Sequence, residues 1–500
     1  MRPSHYLSLW EEIKPDPTTE ALQNLARRIG LSFIDRYFYS DQFESGYIEL
    51  LCEMSTEFSD SELNNIGANA LFGIVIEQLC DDFEELQTET YNRLMCQVIT
   101  FLRSRPECAE LDNRLSGFGL VSREQLYSRI ESIRANGDRR RLPAMAPRKI
   151  LLLSRVTIGA DVAISSVFCQ RLKQYFPAAE IVLIGSEKLE QVYAGNKDIR
   201  VEPLTYVRRS GLAERLNSWI DLHNIVEQEQ QGLEPGEVLL FDPDSRLSQL
   251  GVLPLIKSEY YYYFNSRGKD SYPKKIPIAE LANIWLGNVL GPGNFCYPGV
   301  WPEKNLLDQS GVAAGQARKQ GVKNIITMNF GVGGNHRKKI TGNFESELVV
   351  QLLQEPDTTI FLDLGFGEEE RTASENILSA VKEAGLNAQQ CSFDEINQLK
   401  DYTGVIGIEC SIGEIASLIA ASDEFIGYDS ACQHISAALG KRTYTIFAGT
   451  TNIRFIRRWT ACGPNISEIV YVDTLTHPPQ YDTADIVARL LDRRGLYRKP

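Results

Sequence analysis

The order of apolar and polar positions divides the chain into three stretches. Up to about residue 145, apolar residues recur every three or four positions over 20–29, 62–80, 88–103 and 122–134, and period-two alternation is missing. That spacing predicts amphipathic helices and an all-α domain over residues 1–145. The pattern changes at Lys149. A short apolar run at 150–154 is followed by a loop, a helical stretch at 162–175, a second run at 181–185, a helical stretch at 212–226 and a third run at 238–241. The alternation restarts at 324. Runs at 324–330, 358–364, 405–409, 424–428 and 444–447 are separated by helical stretches at 344–353, 374–384, 412–421 and 431–439, and 482–493 predicts a last helix. Short apolar runs alternating with helices predict parallel strands buried on both faces. The expected class is therefore α/β. Two doubly wound domains, 146–309 and 310–475, are joined through 287–309 and preceded by the helical domain. Residues 476–500 are expected to form a C-terminal helix that packs back on the first of them.

Composition narrows the class. Five hundred residues exceed one ordinary core. Lys and Arg number 52 against 66 Asp and Glu, a net charge of −14, which argues against a nucleic-acid binder. A hydrophobic share of 43% with 24% charged residues excludes wholesale disorder. No uncharged apolar run approaches the roughly 18–20 residues that span a bilayer. The N-terminal segment carries Glu, Lys and Asp where a signal peptide needs an apolar stretch. A cytoplasmic protein is expected. Ten cysteines occur singly and five histidines are dispersed, so neither a disulfide framework nor a metal site is expected. Charge is segregated in the helical part: 51–90 has no Lys or Arg, whereas 103–149 is rich in Arg. Either the two faces neutralise each other, or the basic one makes a peripheral contact with a partner protein or the inner face of a membrane. Arg139, Arg140 and Arg141, followed by Pro143 and Pro147, have the look of a linker.

In open parallel sheets ligands bind beyond the carboxyl ends of the strands, so the residues after each strand are the candidates. The first such loop ends in Gly159-Ala160-Asp161. Gly159 allows a tight turn, and Asp161 is either a helix N-cap or a general base facing the interdomain cleft. After the run at 324–330 come Gly331, Gly333, Gly334, Asn335, Lys338 and Lys339. Glycines followed by a basic cluster suit a diphosphate, through backbone N–H groups and a lysine charge, although a glycine turn without a ligand has the same appearance. It lacks the ending of a Walker loop. After 424–428, Asp429 ends a strand, Ser430 and Ala431 open a helix whose N–H groups form an anion site, and His434 shares a helix face with Ser430. A fourth loop holds Asp242, Asp244 and Arg246. Pro243 between the acids suggests a capped turn and a polar acceptor-binding loop in preference to a metal site. The tyrosine run 260–263 is either a packed strand or a sugar-stacking wall.

Together these loops resemble glycosyltransferase family nine, the ADP-heptose:lipopolysaccharide heptosyltransferases and their relatives. The signature of that family's second domain, roughly Asp-Thr-Gly-x-x-His-x-x-Ala-Ala followed by a strand and a Gly-x-Thr turn, is similar to Asp429-Ser-Ala-Cys-Gln-His434-Ile-Ser-Ala437-Ala438 and the later Gly449-Thr450. The opening of its first domain is similar to the run at 150–154, Gly159-Ala-Asp161 and Phe176-Pro-Ala-Ala-Glu-Ile181. The resemblance covers about 148–475 and leaves the helical third unplaced. Three departures stand out: Ala160 is inserted between the expected Gly and Asp, Ser430 replaces Thr, and Ala431 replaces Gly.

The resemblance implies a GT-B-like fold with two Rossmann-like domains facing a cleft. It also implies an inverting, metal-independent transfer of a sugar from a nucleotide-diphosphate sugar, a co-substrate in place of any cofactor, to a glycan, lipid-linked or protein acceptor. In that reading Asp161 and Lys338 are catalytic. Gly331, Gly333, Gly334, Asn335, Lys339, Asp429, Ser430, Ala431 and His434 bind the donor, Asp242, Asp244 and Arg246 bind the acceptor, and domain closure excludes water. The rival readings are a GT-B-type nucleotide-sugar epimerase and a non-catalytic protein that binds a nucleotide sugar or glycan.

Overall fold

A computed structural model describes residues 1–81, 83–206, 211–268, 271–476 and 481–497. The N-terminal part is helical, as its periodicity predicts: Pro3–Ile13, Thr19–Ser40, Ser45–Met54, Ser61–Ala70, Glu85–Arg103, Ala109–Gly117 and Arg123–Asn136. Five parallel strands follow: β1 (Lys149–Leu153), β2 (Glu180–Gly185), β3 (Ile199–Pro203), β4 (Val238–Asp242) and β5 (Tyr261–Tyr263), in the order β3-β2-β1-β4-β5. The second domain holds seven: β6 (Asn324–Asn329), β7 (Thr358–Asp363), β8 (Ala388–Ser392), β9 (Gly404–Glu409), β10 (Glu424–Tyr428), β11 (Arg442–Phe447) and β12 (Ser467–Tyr471). Their order is β12-β11-β10-β6-β7-β9-β8, again parallel throughout. The helix Lys304–Lys319 begins near the end of the expected joining segment and runs well past it.

Side chains alternate across each strand, and in the first sheet the two faces have different partners. Ile150 and Leu152 point to one core, and Leu151 and Leu153 to the other. The second of these is shared. Leu151, Leu153, Val182, Ile184, Tyr261 and Tyr263 belong to the same buried cluster as Ile99, Leu102, Leu126 and Ile130 of the helical part. Polar ties reinforce it. Arg129 Nη1 donates to the carbonyls of Gly251 and Val252 at 2.8 and 3.2 Å, and Trp285 Nε1 donates to the carbonyl of Gly137 at 3.0 Å. The Arg215 guanidinium lies 4.0 Å from the Phe72 ring centroid. The helices of 1–145 pack on one another, and their buried cluster runs on without a break into one face of the first sheet, which they cover. Arg141, read as part of a linker, donates to the carbonyls of Ser258 and Tyr261 and lies over the Tyr262 ring. Arg103, Arg114 and Arg134 find carboxylates within their own stretch, in Asp112, Glu110 and Glu131.

The opposite face of the first sheet leads into the second domain. Ile150, Leu152, Val167, Phe168 and Trp285 form one buried cluster with Ile415, Ile419, Phe425, Cys432 and Ile435. Apolar packing thus sets the position of the two domains, where a polar interface would leave them free to hinge. The helix Thr483–Leu496 places Ile486, Val487 and Leu490 in the second domain's core with Phe344, Leu348 and Leu352, and Arg494 pairs with Glu424 and Glu355. Its expected return to the first domain is overturned by that apolar face. Among the described residues no helix is long and apolar enough to cross a membrane.

Candidate functional site

The loop after β1 ends in a helix that starts at Ile158–Ala160, widens into a π-turn at Asp161–Ser165 and continues as Ser166–Tyr175. A π-turn is how a helix absorbs one extra residue, and the inserted Ala160 stands directly before it. Asp161 is not the N-cap, a position that Thr157 occupies. Its carboxylate folds back on the strand end, accepting from Ser154 Oγ (2.7 Å), Arg155 N–H (2.7 Å) and Ser165 Oγ (2.6 Å). The residue is 1% exposed. Burial pushes its carboxyl up to about 6, against the pull of those three bonds. As folded, Asp161 does not open onto the cleft. The tight turn lies at Val156 instead of Gly159. Val156 has φ 73°, a strained value for a β-branched residue, and Ser154 Oγ accepts its N–H.

Gly159 is required for another reason. A Cβ there would stand 3.1 Å from Ala431 Cα and 3.3 Å from His434 Cδ2, so the first helix of one domain meets the helix Ala431–Ala438 of the other at this glycine. His434 is buried edge-on to Trp459, and burial pushes its pKa down to about 4, so it is neutral at pH 7. Ser430 sits at the N-cap without capping through its side chain.

The glycine-rich loop after β6 bends at Gly333 (φ 61°) and Gly334 (φ 79°) into a short turn of helix, His336–Lys338, which the Asn335 side chain caps through Arg337 N–H. Lys338 Nζ lies 2.5 Å from Asp429 Oδ2 and 3.2 Å from the Asp429 carbonyl, and Gln433 Nε2 donates to the other carboxylate oxygen. The loop therefore closes onto the start of the helix Ala431–Ala438. Lys339 stands beside Glu345, whose carboxyl burial raises and Lys339 lowers. Gly449, with φ 79°, lies where a Cβ would strike the Arg337 carbonyl, so the Gly449-Thr450 turn also abuts this loop. Gly331 backs onto Glu370, whose carboxylate accepts Val332 N–H at 3.3 Å.

The residues assigned to the acceptor are placed differently. Asp242 is fully buried, accepts from Ser245 N–H, Ser248 Oγ and Tyr261 Oη, and is pushed by burial up to about 6. Asp244, equally buried, accepts from Tyr263 Oη (2.9 Å), Ser266 Oγ (2.7 Å) and Arg267 Nη1 (2.5 Å). Burial raises its pKa, but Arg267 and Arg155 outweigh this and hold it below the ordinary aspartate range. Both carboxylates are spent inside the first domain, so neither offers an oxygen to an acceptor. Arg246 is half-buried, and its charge opposes the rise that burial gives the Tyr91 hydroxyl of the helical part. Tyr261, Tyr262 and Tyr263 form the buried edge strand β5, which removes the sugar-wall alternative. Among the described residues no three His, Cys, Asp or Glu side chains are grouped to hold a metal ion.

The structure also brings in residues that sequence reading passed over. Phe83 lies against Phe455 and Trp459, and Glu84 pairs with Arg454, so the helical part reaches the helix Ile453–Arg458 beyond β11. Arg155 and Arg267 neutralise Asp244. The Gly365-Phe366-Gly367 turn after β7 was readable as a glycine-flanked aromatic at a strand's carboxyl end.

Residues 380–477 match glycosyltransferase family 9 (heptosyltransferase), a segment that contains Asp429, Ser430, Ala431, His434 and Gly449. The resemblance carried by the motifs is thus shown over that segment. No curated protein matches the chain. Among solved structures, the glycosyl transferase family 9 protein from Veillonella parvula DSM 2008 is similar at 13% identity, covering 68% of this chain and 90% of its own, with a TM-score of 0.45. E. coli ADP-heptose lps heptosyltransferase II is similar at 14% identity over 69% of this chain and 99% of its own, with a TM-score of 0.43. The layout here is GT-B-like: two parallel α/β domains in tandem, with strand-end loops of one meeting those of the other at Gly159 and Ala431.

Proposed function

We propose that this glycosyltransferase-like chain moves a sugar from a nucleotide-diphosphate sugar to a glycan, lipid-linked or protein acceptor, with inversion and without a metal ion. The observation that carries the reading is the Lys338 ammonium, held on Asp429 at the start of the helix Ala431–Ala438 beside a loop bent by left-handed glycines. A diphosphate placed there meets an ammonium, backbone N–H groups and the positive end of a helix. Lys338 exchanges Asp429 for phosphate when the donor arrives. As the bond between sugar and diphosphate breaks, charge grows on the leaving oxygen, and these groups stabilise it.

Asp161 is the proposed base. A value near 6 suits a proton acceptor working close to neutral pH. Its oxygens become available to an acceptor hydroxyl when the Ser154–Val156 turn opens, and the positive φ of Val156 marks that turn as the strained segment. A second reading, binding without turnover, is favoured by the contact of Gly159 with Ala431 beside the helix N-terminus.

Thermal-shift titration of the full chain with nucleoside diphosphates and nucleotide sugars tests the donor. A concentration-dependent rise in Tm is expected, and no rise with any of them ends the nucleotide-sugar reading. Product analysis then separates transfer to an added acceptor from isomerisation of the free nucleotide sugar and from binding alone.

A further inference from the structure

We infer that Phe366 is a stacking platform for the nucleobase of the donor, an inference that rests on the nucleotide-sugar reading above. Phe366 follows β7 at the carboxyl end of the second sheet and is 91% exposed, more than any other large exposed hydrophobic residue among those described. The loop that carries it is built. Gly365 (φ 78°) and Gly367 (φ 84°) both take left-handed conformations. Gly365 N–H donates to Asp363 Oδ1 at 3.1 Å, and Phe366 N–H donates to Glu370 Oε2 at 2.9 Å. The ring is held out by a fastened turn.

Glu370 joins this turn to the proposed diphosphate loop. Its second carboxylate oxygen accepts Val332 N–H from the glycine-rich segment, while Oε2 accepts from Phe366. A Cβ at Gly365 would stand 2.7 Å from that carboxylate, and one at Gly331 would stand 3.1 Å from it. Both glycine turns therefore close round one side chain, which ties the Phe366 turn to the glycine-rich segment that leads to Lys338. From the first domain, in the turn after β2, Lys188 carries its ammonium 5.9 Å from the Phe366 centroid. The ring thus faces the first domain, with a cation on a flexible stem opposite it. A planar aromatic group at the far end of a diphosphate stacks on the phenyl ring once the Lys188 stem swings outward, and the ammonium then rests over the group's other face. Stacking uses the π-face that every base has, so the platform accepts more than one base.

The test uses the full chain, ADP, UDP and GDP as nucleotide probes, and inorganic pyrophosphate as the probe without a base, in calorimetric titrations of wild type, Phe366→Ala, Phe366→Trp and Lys188→Ala. Phe366→Ala is expected to weaken each nucleoside diphosphate by about 5- to 150-fold and to leave pyrophosphate unchanged. Phe366→Trp should keep nucleotide affinity and add fluorescence quenching on binding beyond that of wild type. Lys188→Ala should weaken nucleotides by a smaller factor than Phe366→Ala. Unchanged nucleotide affinity in Phe366→Ala overturns the platform while leaving the donor reading intact. Equal losses for nucleotides and pyrophosphate also overturn it, since they indicate a damaged loop. If wild type binds pyrophosphate but no nucleoside diphosphate, the donor reading fails and the platform fails with it.

Discussion

Deleting residues 1–145 should leave a chain that does not fold as a stable monomer. Six residues on the covered face of the first sheet, Leu151, Leu153, Val182, Ile184, Tyr261 and Tyr263, are at most 2% exposed. Part of that face stays under the helix Leu212–Gln230. If half of the six lose their cover, at about 1.5–3 kcal/mol for each buried side chain, the loss is roughly 5–9 kcal/mol. Trp285 Nε1 and the carbonyls of Gly251 and Val252 also lose their partners. With water taking the place of those partners, the net loss is about 0.5–1.5 kcal/mol for each bond. Together these reach the ~5–15 kcal/mol that holds a whole domain. The assay is urea denaturation of residues 146–500 followed by circular dichroism, with dye binding to report exposed apolar surface. The expected result is strong dye binding and no cooperative transition. A sharp transition with a midpoint close to that of the full chain would refute the shared core.

Lys338→Ala should weaken nucleoside diphosphate binding about tenfold or more, because a charge-assisted contact is lost; if Lys339→Ala has the larger effect, the phosphate contact is one residue further on. Asp161→Asn should lower turnover about a hundredfold or more, and near-native rates would leave the residue a purely structural role. The same variant tests the buried carboxyl. With a folded pKa raised to about 6, wild type binds more protons folded than unfolded, so its stability from this group is full below about 3.8 and falls as pH rises through 6, by about 3 kcal/mol. Asn lacks that fall, so denaturation of both proteins from pH 4 to 7 should show the variant gaining on wild type, and a pH-independent difference would contradict it. Gly159→Val drives a branched side chain into Ala431 and His434, and a loss of about 1–3 kcal/mol in unfolding free energy is expected; an unchanged Tm would mean that the domains part easily. Transfer should survive EDTA, whereas a strict need for magnesium or manganese would defeat the metal-independent reading.

The central strands were legible because they are buried from both sides. β1, β2, β4, β6, β7, β9, β10 and β11 read as near-continuous apolar runs, and the helices between them have their own periodicity. The edge strands β3, β8 and β12 escaped notice: each is covered on fewer sides and keeps polar residues, as in Ala388–Ser392. The helix Lys304–Lys319 gives little hydrophobic signal because its buried face is Ser310, Ala313, Ala314 and Ala317, all small residues. Lys338, Asp429, Ala431 and His434 came from the sequence because strand-end loops lie where a parallel sheet opens, and the fold brings them together. The fates of Asp242 and Asp244 did not. On paper they are carboxylates in a strand-end loop like any other. Tyr261, Tyr263, Ser266 and Arg267, carried in by β5 and the loop after it, enclose them. The same holds for the helical third, whose apolar stripes are plain in the sequence and whose partner, one face of the first sheet, is not. Periodicity records that a side chain is buried, because burial is a property of the local face. What it is buried against depends on segments far along the chain, and only the tertiary structure decides that.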